Sequence, residues 1–170
     1  MSTSAPCVAG LVLAVHPTSR GFGWVLFEGP DRPALWGIAS VRKGRHGRLL
    51  RRFERLLGRY EPAVFVLEEF EAGSARRSER IQDLCREMQH RATAQGIFTP
   101  VYHRDLIRAC FAGSGASTRY EIAQAIAKRI PNFDHRMPRY RKAWLAEDAR
   151  QSLFDAAALA LTYFAVMGES

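Results

Sequence analysis

Apolar positions along this chain fall into two kinds of pattern. Val8 to His16 (VAGLVLAVH) and Ala63 to Leu67 (AVFVL) are continuous apolar runs, the signature of central strands covered on both faces. Phe22 to Glu28 and Ala34 to Val41 read as further strands, separated by the turn residues Gly29, Pro30 and Asp31, so the first three strands should form an antiparallel meander. From Arg45 to Tyr60, Leu49, Leu50, Phe53, Leu56, Leu57 and Tyr60 recur at the three-and-four spacing of one helical face. The same period returns from Ser74 to Gln95, with Gly96 as its stop. Ile97 to Tyr102 fits a short strand and Asp105 to Ala112 a short helix; Ser117 or Thr118 caps a helix running to Ile130. Pro131 to Ala146 has Pro131, Asn132, Pro138 and no apolar period, which predicts a loop. The Ala- and Leu-rich stretch from Glu147 to Met167 predicts a last, largely buried helix.

Charges interrupt this pattern at two informative places. Glu68 and Glu69 close the Ala63 to Leu67 run, and because side chains alternate across a strand, only one of them can face a given site. The carboxyl end of a central strand is where open α/β sheets bind ligands; the alternative is that both acids simply start a solvated loop. Asp155 lies inside the last helix, between Phe154 and Ala156. Burying an ionised carboxylate is costly without partners, so Asp155 calls for a cation, a metal or a donor beside it, or for a structural bond to backbone or arginine.

A length of 170 residues suits one domain, 1–170, with residues 131–146 as a basic loop insertion. No run looks long and apolar enough to span a bilayer, and the start of the chain lacks the pattern of a signal peptide, so a cytoplasmic location without a membrane partner is the expectation. Cys7, Cys85 and Cys110 are widely separated and in no metal-type spacing, which argues against a disulfide framework or a zinc site.

The net charge of +8 is concentrated. Eight basic residues against Glu54 alone lie between Arg42 and Arg59, Arg48 and Arg52 among them, and five against Asp134 alone lie between Arg129 and Lys142. The second group contains Arg136, Arg139, Arg141 and Lys142, interleaved with Phe133, Tyr140 and Trp144. Cations hold phosphates and aromatics stack on bases, so the combination suits nucleic acid. The alternative is a generally arginine-rich surface, with Phe133 and Trp144 anchoring the loop to the core.

Three strands, helix, strand, helix, strand and further helices, with acids at the fourth strand's end and in the last helix, resemble the RNase H-like superfamily. Within it the chain resembles the RuvC-type Holliday junction resolvases. LAVHPTSRGFGW is similar to that family's first strand and Gly-rich turn, VFVLEEF to its central strand, and FDAAALALTYF to its terminal helix. A weaker likeness runs through LIRACFAGSGASTRYEIAQAI. The resemblance implies a five-stranded mixed α/β sheet, a three-strand antiparallel meander plus two parallel strands, flanked by helices. It implies Glu68 and Asp155 as catalytic acids, Arg108 and Arg119 as basic residues that handle DNA, branched DNA as partner, and a homodimer, for which the Ser74 to Gln95 helix is the candidate interface.

Two positions depart from the family pattern. His16 stands where the family has an Asp, and Ser152, read as structural, where it has an acid or His. Family members hold two Mg²⁺ or Mn²⁺ ions on such carboxylates, one ion activating water and the other stabilising the leaving oxygen. Here the expected ligands are His16, Glu68 and Asp155, with Asp148, seven residues before Asp155, within reach through water. Three expectations follow: a crossover-junction endonuclease with His16 as altered third ligand or general base, a catalytically impaired relative that recognises DNA structure, or an RNA-directed nuclease. Metal chemistry requires His16, Glu68 and Asp155 to converge; an internal arginine on Asp155 would remove its footing.

Overall fold

A computed structural model describes residues 10–42, 46–69, 79–140 and 148–168. Strands β1 (Val12–Pro17), β2 (Gly21–Gly29), β3 (Arg32–Ser40), β4 (Val64–Glu68) and β5 (Val101–Tyr102) form one sheet in the order β3-β2-β1-β4-β5. The first three run antiparallel; β1 pairs with β4, and β4 with β5, in parallel. The β2–β3 hairpin turns at Asp31, in the left-handed region at φ 59°, a conformation Asp tolerates better than most residues.

All of β1 and β4 is buried, as the two continuous apolar runs require, and the alternation of their side chains sorts the core into two layers. Leu13, Val15, Phe65 and Leu67 face α1 (His46–Tyr60) and α2 (Glu79–Ala94), packing on Phe53, Leu57, Leu84 and Met88. Val12, Ala14, Val64 and Val66 face the other way, onto α3 (Arg104–Phe111), α4 (Arg119–Arg129) and α5 (Gln151–Gly168). By the same parity His16 and Glu68 belong to the α5 face, while Glu69 is exposed.

Several boundaries differ from the expectation, each for a local reason. Pro100 interrupts the fifth strand, leaving Val101–Tyr102 and one isolated bridge between Val64 and Phe98. Thr118 is the cap of α4, in a full capping box with Glu121. Residues Pro131–Arg136 form a 3-10 turn rather than irregular loop, because Phe133 is buried against Trp36 and Phe154. Its ring is therefore a core anchor and not a base-stacking surface. Trp144, Arg141, Lys142 and Glu147 lie outside the described residues. The last helix starts at Gln151, not Glu147.

Helix α5 corrects one expectation: by length and composition, with mean hydropathy 1.2 over 18 residues, it could cross a membrane. In this fold 72% of that window is buried inside the protein, and its apolar character is accounted for by a core that surrounds it on the β1, β2 and α4 sides.

Candidate functional site

The site sits at the carboxyl ends of β1 and β4, under the start of α5. What brings α5 so close is Gly23, paired with His16 across β1 and β2. A Cβ at Gly23 would lie 2.3 Å from the carbonyl carbon of Ser152, so the helix backbone occupies the space that any other residue would need. Asp155, one turn further along α5, is thereby set over the end of the sheet. Ser152 itself is buried, its hydroxyl donating to the Ala149 carbonyl at 2.7 Å, a local role consistent with its reading as structural.

His16, Glu68 and Asp155 do come together, and all three are buried. The imidazole lies between the acids, Nδ1 at 3.4 Å from Glu68 Oε2 and Nε2 at 3.5 Å from Asp155 Oδ2. Each acid is also gripped from its far side. Arg104, first residue of α3, places Nε 3.0 Å from Glu68 Oε1 and donates from Nη2 to Oε2 at 3.1 Å. Arg119, first residue of α4, donates from Nε to Asp155 Oδ1 at 3.2 Å and from Nη2 to Oδ2. Both are two-pronged guanidinium–carboxylate pairs, the strongest geometry for such contacts. Gln151 adds an amide donor to Asp155 Oδ1 at 3.2 Å and another to the Arg119 carbonyl at 3.3 Å.

Burial alone would raise the Asp155 carboxyl, but His16, Arg119 and Arg104 outweigh it and hold that carboxyl below its usual range. Asp155 is thus a carboxylate in a dry place with its charge answered by arginine.

Two sequence-derived residues are placed elsewhere. Asp148 precedes α5 instead of riding on it, so the helical spacing that linked it to Asp155 does not apply. It accepts from the Arg150 backbone and side chain at 2.9 and 3.2 Å and from the Arg139 backbone at 3.3 Å. Arg108 is exposed, 4.0 Å from Asp105; the arginine of α3 that reaches the acids is Arg104. Arg48, Arg52, Arg136 and Arg139 are exposed, Arg52 donating to the Ser40 carbonyl at 3.2 Å. The sequence reading missed Arg104 and Gln151. Gln151 was legible as the residue four before Asp155 on one helix face, whereas Arg104 required knowing that β5 lies beside β4.

No family model matches the sequence, and no curated protein does. Solved structures do match. Thermus thermophilus RuvC in complex with a Holliday junction substrate superposes with TM-score 0.69 at 18% identity, covering 94% of this chain and 96% of that one. The yeast mitochondrial Holliday junction resolvase gives 0.66 at 13%, covering 93% and 79%; the fowlpox virus Holliday junction resolvase gives 0.53 at 14%, covering 92% and 99%.

The two divalent ions that the resemblance implied do not fit the residues present. All four carboxylate oxygens of Glu68 and Asp155 already face guanidinium nitrogens, and the imidazole stands between the acids as a wedge instead of joining them on one point. Two acids against two arginines leave no surplus negative charge to offset the repulsion of a pair of dications. Among the described residues no group of three His, Cys, Asp or Glu side chains is arranged to hold an ion. With its mixed sheet, its α5 core helix and these neighbours, the chain has the RNase H-like fold of the RuvC-type Holliday junction resolvases.

Proposed function

We propose that this chain binds branched DNA on a resolvase scaffold and does so without divalent-ion-dependent cleavage. The observation that carries this reading is the occupation of both acids by Arg104 and Arg119. The two guanidinium–carboxylate pairs cancel the negative charge that would hold metal ions, so the activated water of metal catalysis is lost while the site no longer repels a phosphate. Exposed arginines of α1 add sequence-independent phosphate contacts.

The convergence of His16, Glu68 and Asp155 supports a second reading, a metal-dependent junction endonuclease in which DNA draws the arginines off the acids and frees them for Mg²⁺ or Mn²⁺. RNA is the third, since the fold alone does not choose the nucleic acid. A homodimer paired through α2 remains part of the proposal, to be tested by sedimentation.

The deciding experiment is a gel-shift and cleavage series on a four-way DNA junction and a duplex of equal length, in EDTA, Mg²⁺ and Mn²⁺. Preference for the junction in EDTA, with no nicked product in either metal at protein excess, is the expected result. Product in either metal would overturn the non-cleaving reading.

A further inference from the structure

Beside the buried site lies a second feature that the acids do not explain. A cleft of about 670 Å³ opens where the β1–β2 turn, the end of β3 and the lead-in to α5 meet, lined by Thr18, Arg20, Ser40, Arg42, Ala149 and Ser152 among others. That volume is in the range of small-ligand sites. None of its described lining residues is an Asp or Glu, although the chain carries 17 acids. Arg20 and Arg42 are both exposed, and no described carboxylate pairs with either.

The backbone fixes these arginines relative to each other. Thr18 donates its N–H to the Gly21 carbonyl at 2.8 Å, closing the turn, and Val41 donates to the Arg20 carbonyl at 2.9 Å. Arg20 and Arg42 therefore sit on neighbouring strand ends. Arg52 of α1 reaches the same rim through its bond to the Ser40 carbonyl. The cleft is also one residue away from the His16 centre: Ser152 lines it, and the Ser152 backbone rests against Gly23, the partner of His16 in β2.

We propose that this cleft is a phosphate-contact site in which Arg20 and Arg42 hold the backbone of the DNA strand that runs past His16. This rests on the branched-DNA reading and adds to it the path of one strand. Two guanidinium groups that no described carboxylate answers, with hydroxyls from Thr18 and Ser40, match phosphodiester oxygens in charge and donor geometry. The contact is to backbone, so it contributes affinity and salt dependence but no sequence preference.

The test is fluorescence anisotropy of a labelled four-way junction against the parent chain, the double variant Arg20→Ala/Arg42→Ala, and the control Arg32→Ala/Lys128→Ala, exposed residues at the far end of the β2–β3 hairpin and on α4, across a salt series. Circular dichroism and thermal melts check that each is folded; single variants replace a double variant that is not. The expected result is a 10- to 100-fold weaker complex for the cleft variant, with a log–log salt slope shallower by roughly 2, since each lost phosphate contact removes about 0.9. The control should stay within about twofold of the parent. An unchanged slope and affinity in a folded cleft variant, or an equal loss in the control, would overturn the cleft assignment while leaving junction binding intact. Absence of binding by the parent chain would overturn both, and tighter binding of an RNA junction of the same sequence would overturn the assignment to DNA.

Discussion

Arg119 and Asp155 form a two-pronged ion pair between the first residue of α4 and the buried middle of α5. It joins residues 36 positions apart in the chain and sets the charge state of the whole site. Removing the arginine leaves a carboxylate that is 4% exposed, with His16, Gln151 and the more distant charge of Arg104 to answer it. Arg119→Ala should therefore cost about 2 kcal/mol, less than a fully buried pair because the guanidinium remains partly in solvent. Urea unfolding at pH 7 measures it. Arg119→Ala combined with Asp155→Asn should recover most of the loss, which a double-mutant cycle would show.

Acid should destabilise the fold over a defined window. Glu121 is lowered from 4.5 to about 2 by the Ser117 and Thr118 backbone N–H groups. Asp148 is lowered from 3.8 to about 2, its burial outweighed by bonds from Arg150 and Arg139. Asp155 is lowered as well. Folded-state values below the unfolded ones mean that this stabilisation is complete above about pH 4.5 and is lost as pH falls through about 2. Thermal melts from pH 6 to pH 2 should show the decline, and Asp148→Asn should flatten part of it.

Thr118 fixes the start of α4 and with it Arg119. Thr118→Ala should cost about 1 kcal/mol, the usual loss for an N-cap. Hydrogen exchange should show faster opening of the first turn of α4, with Arg119 loosened from Asp155. An unaltered exchange pattern would mean that the arginine, not the cap, holds the turn.

Gly23→Ala is expected to displace α5, because the added Cβ meets Ser152 backbone and not a flexible side chain. A loss of roughly 1–3 kcal/mol should result. The readout is a thermal melt together with the imidazole chemical shifts of His16, which should move as Asp155 retreats.

Divalent ions should bind weakly to the parent chain and better once a carboxylate replaces the imidazole and the arginine on Asp155 is removed. His16→Asp with Arg119→Ser would place three carboxylates around the end of β1 without the guanidinium that now answers Asp155. Mn²⁺ titration followed by electron paramagnetic resonance should give at least about a tenfold gain in affinity, since hard cations favour oxygen ligands. Tight Mn²⁺ binding by the parent chain would contradict the charge-compensated site.

Much of the architecture was legible along the chain because it depends on local period. The runs from Val8 to His16 and from Ala63 to Leu67 could be assigned as central strands, observed at Val12–Pro17 and Val64–Glu68, since only a strand covered on both faces tolerates uninterrupted apolar residues. Alternation put Glu68 and Glu69 on opposite faces, and the fold buries Glu68 and exposes Glu69. The demand of buried Asp155 for a partner was equally visible, because the cost of a lone charge in an apolar helix does not depend on the rest of the fold.

What that partner is was decided in three dimensions. A cation, a metal and a donor all satisfy the same requirement, and only the packing of α4 against α5 selects Arg119. Likewise Arg104 reaches Glu68 because β5 lies beside β4, and Arg20 and Arg42 line one cleft because β2 pairs with β3. Sequence period reports which face of an element is buried. Electrostatic compensation depends on distances between elements, which long-range strand pairing and helix packing alone determine.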